Sequence, residues 1–101
     1  MNMVDLKKVL NYLKFEISIE LDDFVEFHGK MKNQNGKIFD IEGSFGIDDE
    51  KNISYSLNYY DTEKNYEYDG MIGRISQPNN NDIISLITPN FVEIWNSYDI
   101  L

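Results

Sequence analysis

Between residues 15 and 76 the sequence alternates apolar and polar side chains almost without pause, and this period of two constrains the fold more than any other feature. Successive side chains of a strand point to opposite faces, so each alternating run predicts a β-strand with one buried side. Phe15, Ile17, Ile19 and Leu21 alternate with Glu16, Ser18 and Glu20 until Asp22-Asp23 breaks the run. A second strand is expected over 24–32, with Val25, Phe27, Gly29 and Met31 on one face and Glu26, His28, Lys30 and Lys32 on the other. Asn33-Gln34-Asn35-Gly36 follows, and Asn-Gly between alternating runs is a strong hairpin signal. A third strand over 37–47 sets Phe39, Ile41, Gly43, Phe45 and Ile47 against Asp40, Glu42 and Ser44. After an acidic turn, a fourth over 53–60 turns Ile53, Tyr55, Leu57 and Tyr59 inward. In a fifth, over 66–76, the phase slips near Asp69-Gly70, and a bulge at Gly70 would reconcile its two halves.

The flanks change period. Leu6, Leu10 and Leu13 recur at helical spacing within residues 2–14, with Asn2 as cap and Asp5 three positions later. Residues 77–82 read as a loop, and Ile83 to Ile87 is an apolar run that fits strand or helix. Thr88-Pro89 has the pattern of a helix start, with Phe91, Ile94, Trp95 and Tyr98 as the apolar stripe. The expected fold class is therefore α+β: an N-terminal helix, a four- to five-stranded antiparallel meander sheet and a C-terminal helix. It forms a single domain over residues 1–101, with the helices covering the apolar side of the sheet.

Charge narrows the partners. The net charge is −9, and residues 15–50 hold ten acids against Lys30, Lys32 and Lys37. A nucleic-acid binder needs a basic footprint, so direct nucleic-acid binding is not expected, and an anionic membrane surface is disfavoured for the same reason. No run approaches the roughly 18 apolar residues of a membrane span. With no cysteine, disulfides and thiolate metal sites are ruled out. The N-terminus lacks the order of a signal peptide, and the expected location is cytoplasmic.

Chemistry is sparse. His28 is the single histidine, and it falls on the polar side of a strand. The carboxylate groups Asp22/Asp23 and Asp48/Asp49/Glu50 fall at turns, where Asp is favoured for its side-chain hydrogen bonds and where a raised pKa is rare. The spacing of Asp48-Asp49-Glu50 is not that of an EF-hand, and the glycines match no phosphate loop. Neither a catalytic site nor a cofactor is expected.

What remains is surface. If strands one and three expose their polar sides, Glu16, Glu20, Asp40 and Glu42 project together, with Glu26 beside them. The turn acids Asp48, Asp49 and Glu50 extend this charge, and Tyr60, Asp61, Glu63, Tyr66 and Glu67 place tyrosines beside acids as a recognition surface would. A row of carboxylates imitates a row of phosphates to a basic groove. These features point to a small acidic inhibitor of a basic, nucleic-acid-handling protein such as a nuclease or CRISPR effector. An anti-CRISPR or other anti-defence protein of phage, an immunity protein and an antitoxin all fit. The alternative is a curved-sheet ligand-binding or housekeeping module, which a deep apolar pocket with tyrosine hydroxyls pointing into it would favour. An enzyme using carboxylates alone would need two acids buried in one cleft. Unpaired sheet edges would also allow a homodimer.

Overall fold

The computed structural model describes residues 1–63 and 66–90. The stripe Phe91, Ile94, Trp95 and Tyr98 lies outside the described residues. The observed order is α1 (Met3–Tyr12), β1 (Glu16–Glu20), β2 (Phe24–Lys32), β3 (Ile38–Ile47), β4 (Ile53–Asp61), β5 (Tyr66–Ile75) and α2 (Asn80–Ile87). The five strands form one antiparallel sheet in sequence order, as the alternating runs predict.

Helix α1 starts where Asn2 Oδ1 accepts a hydrogen bond from the Asp5 N–H at 2.8 Å, satisfying one of the free donors of the first turn. It ends with Lys14 in the left-handed region, at φ 64°. There the Lys14 N–H donates to Asn11 O and the Phe15 N–H to Leu10 O, each at 3.0 Å, so the last carbonyls are capped. The cap also brings Phe15 and Leu10 together in the core.

The inner face of the sheet carries Val25, Phe27, Phe39, Ile41, Phe45, Ile53, Leu57 and Tyr59, all buried beneath Leu6, Val9 and Leu10 of α1 and Ile83 and Ile87 of α2. Phe27 stacks on Phe45 at 5.1 Å between ring centroids and meets the edge of Phe15 at 5.3 Å. Gly43 makes this possible. A Cβ there would lie 2.6 Å from Phe27 Cζ and 2.7 Å from Leu57 Cδ2, so any side chain would displace the centre of the core.

Helix α2 departs from expectation. Its first turn takes in the last part of the expected loop, because Asn79 and Asp82 form a reciprocal capping box. Asp82 N–H donates to Asn79 Oδ1 at 2.8 Å, and Asn79 N–H to Asp82 Oδ2 at 2.9 Å. The ambiguous run 83–87 is thus helical. Thr88 closes the helix, its hydroxyl donating to Ile84 O at 2.7 Å.

One buried hydrogen bond ties α2 to the sheet: Tyr59 Oη donates to Ile87 O at 2.9 Å. Burial, reinforced by nearby Tyr55, raises the Tyr59 phenol above its ordinary 10.0. The protonated form is the one that folding stabilises. That stability is complete below pH 10 and declines above it, where tyrosine of the unfolded chain ionises. Tyr59→Phe should cost about 1 kcal/mol in urea unfolding at neutral pH and remove this residue's share of the alkaline loss.

Candidate functional site

Both described helices pack on one side of the sheet, which leaves the other side as the broad uncovered surface. Strand register arranges its side chains in rows. Glu16, His28, Glu42 and Asn58 stand opposite one another across β1 to β4. Beside this row run Lys30, Asp40, Tyr60 and Glu67. On its other flank lie Ile19, Glu26, Ser44, Ser56 and Ile72. Successive rows lie about 6.6 Å apart along a strand, and neighbouring strands about 4.8 Å apart. A shallow polar trough of ≈ 380 Å³ crosses the centre, lined by residues including Glu26, His28, Glu42, Ser44, Ser56 and Asn58.

The acids on this face differ in how far they are neutralised. Asp40 pairs with Lys30 at 2.8 Å, and Glu16 meets His28 Nε2 at 3.1 Å. Glu26 and Glu42 have no cationic partner among the described residues. Glu67 is exposed opposite Tyr60, which is half-buried. Tyr59 and Tyr60 point to opposite sides, as adjacent strand residues must. The side chain of Tyr66 lies outside the described residues.

Two expected members of the face are elsewhere. Glu20 is the first. An extra residue at Ser18 makes a bulge in β1, because Ile17 pairs with Phe27 while Ile19 pairs with Glu26. Beyond the bulge the two sides exchange. Ile19 emerges on the open face, 44% exposed, and Glu20 lands opposite buried Val25 on the helix side, where it pairs with Lys7 of α1. Leu21, expected inward, is 58% exposed.

Asp61 is the second. The sequence places it among the surface acids beside the tyrosines, but it ends β4 in the inward phase and is fully buried, with Lys37 Nζ 2.6 Å from its Oδ2. Its Oδ1 accepts from the Glu63 N–H at 3.1 Å. Glu63 itself is exposed. Asp61 is the one buried acid among the described residues, so the two-acid cleft required by carboxylate catalysis is not found among them. Tyr59, the buried tyrosine, spends its hydroxyl on Ile87 O and does not present it to a ligand.

The turn acids Asp48, Asp49 and Glu50 are exposed, but Asp48 is committed to the turn itself. Its Oδ1 accepts from the Glu50 and Asn52 N–H groups, each at 2.9 Å, and its Oδ2 pairs with Arg74 of β5. The backbone hydrogen bond from Asn52 is the leading cause holding this carboxyl below its ordinary 3.8, with Asn52 and Arg74 side chains assisting.

No group of three or more His, Cys, Asp or Glu side chains suited to a metal occurs among the described residues, and no helix there is long and apolar enough to cross a membrane. Compared with family models, curated proteins and solved structures, the chain matches none.

The two ion pairs should respond differently to truncation. Asp61→Ala removes the fully buried carboxylate beside the largely buried Lys37 ammonium and should cost on the order of 3 kcal/mol in chemical unfolding. Asp40→Ala breaks an exposed pair and should cost less than about 1 kcal/mol. Asp48 adds a pH dependence of defined sign. Its contribution is present above 3.8 and lost as pH falls through the lowered folded value. Acid titration of Asp48→Ala should therefore show a shallower loss of stability below that pH than the parent chain.

Proposed function

We propose that this protein binds a basic protein through its uncovered sheet face and thereby blocks that protein's nucleic-acid site. The observation that carries this reading is the pair Glu26 and Glu42, two carboxylates at the centre of a rigid sheet face without a cationic partner among the described residues. Glu16, Asp40 and Glu67 surround them. Strand geometry spaces these groups at intervals of several ångströms in two directions, a pattern that a groove built for phosphates would accept. The net charge of −9 steers such a partner inward. Glu20, Asp48 and Asp61 are assigned to structure, so the proposed surface is narrower than the sequence suggests.

A nuclease or a CRISPR effector has the required basic groove, and the setting favoured is a phage-encoded anti-defence protein acting in the bacterial cytoplasm. A toxin-neutralising immunity protein would use the same surface in the same way. In neither case does the protein make or break a bond itself.

Glu26→Gln/Glu42→Gln keeps shape and hydrogen-bonding capacity while removing both central charges. Its affinity for the partner captured from host extract should fall by roughly tenfold or more. Binding of the parent chain should weaken between 0.1 M and 0.5 M salt, and duplex DNA should compete for the same partner. Glu50→Gln, on a peripheral turn, should bind as the parent does. Capture that is indifferent to the double substitution, to salt and to DNA contradicts the reading.

A further inference from the structure

The two edges of the sheet are not equivalent. Strand β1 is five residues long, carries the Ser18 bulge and is braced to α1 by the Lys7–Glu20 pair. An edge as short as this resists pairing with another chain. Strand β5 is ten residues long, forms the opposite end of the strand order among the described residues, and sets Ile72 in solvent at 86% exposure. Its bulge and its charged residues restrict it to a partner that matches both register and charge, and a copy of the same strand does so.

The geometry points to a second copy of this chain as the occupant of the β5 edge, joined antiparallel about a two-fold axis through Met71. The β5 bulge determines the register. Leu57 pairs with Met71 and Tyr59 with Tyr68, so Asp69 and Gly70 together oppose Asn58. A Cβ on Gly70 would crowd Leu57 O at 3.1 Å, a tight approach that favours glycine there. Counting the bulge as one step on each strand, Met71 meets its own copy, Ile72 meets the Asp69–Gly70 step, Gly73 meets Tyr68, and Arg74 meets Glu67. The match runs the whole strand, from Tyr66 against Ile75 to Ile75 against Tyr66.

Two consequences of this register are favourable. Glu67 and Arg74 both stand on the open face, Glu67 opposite Tyr60 and Arg74 opposite Ser54. The two-fold axis therefore creates two cross-strand pairs of opposite charge, a favourable arrangement for facing strands. Arg74 already contacts Asp48, and its guanidinium has donors enough for both. Ile72, exposed in one copy, lies against the Asp69–Gly70 step of the other. The two open faces then continue into one surface. This inference does not depend on what that surface binds.

Strand-edge pairing alone buries less than the roughly 1,200 Å² of a standard interface, so the dimer should be weak and concentration-dependent. Sedimentation equilibrium from micromolar to millimolar concentration, at about 0.15 M salt, should show the mass rising from 11.9 kDa toward twice that value. Arg74→Glu and Glu67→Arg each place like charges opposite one another at both symmetry-related positions. Each should raise the dimer dissociation constant by about tenfold or more, while the double swap Glu67→Arg/Arg74→Glu restores it. Circular dichroism checks that each variant is folded. A mass that stays at the monomer value overturns the proposal. So does a dimer unaffected by the single swaps, or one that the double swap fails to restore.

Discussion

One-sided burial of a five-stranded meander is the constraint on which the rest of this structure depends. The apolar side of the sheet must be covered, and α1 and α2 cover it with Leu6, Val9, Leu10, Ile83 and Ile87. Each fully buried aliphatic or aromatic side chain there is worth roughly 1.5–3 kcal/mol. The same packing fixes the other side of the sheet in place, because a side chain's face follows from its parity along the strand. The charged rows are in this sense a by-product of the core: once Phe27, Ile41 and Leu57 point inward, His28, Glu42 and Asn58 must stand outward in line.

Much of this was legible in the sequence. Strands β2 to β4 alternate cleanly, and their inward residues are those the alternation marks. The phase slip at Asp69-Gly70 correctly located the β5 bulge. The β1 bulge left no such sign, because Glu16 to Leu21 alternates perfectly while its pairing with β2 shifts by a residue at Ser18. Register is a property of two strands, and the alternation of one cannot reveal a shift between them. The run Ile83 to Ile87 fitted strand or helix, and the start of α2 was missed for a different reason. Asn79 to Asp82 has the polar composition of a loop, yet its first and last residues satisfy each other's backbone as a capping box. The signal was present in the spacing of Asn79 and Asp82.

Asp61 shows where side-chain chemistry misled the reading. Its charge suggests a turn surface, but its parity continues Ile53, Tyr55, Leu57 and Tyr59, and Lys37 shares the inward parity of Phe39 and Ile41. Phe39 and Asp61 are cross-strand neighbours, so Lys37 lies one diagonal away and closes the pair. Parity outweighed polarity because the two charges could be buried together. Glu26 and Glu42 occupy the opposite phase and lack such a cation among the described residues, and this contrast separates acids that serve the fold from acids left available to a partner.

Carboxylate footprinting tests the central claim most directly. The protein, free and bound to its partner, is treated with a carbodiimide and an amine, and labelled acids are read by mass spectrometry. The account predicts that binding shields Glu26 and Glu42, with Glu16 and Glu67, while Asp5, Glu20 and Asp82 on the helix side remain as reactive as in the free chain. Protection of the helix side with Glu26 and Glu42 still fully labelled would contradict it.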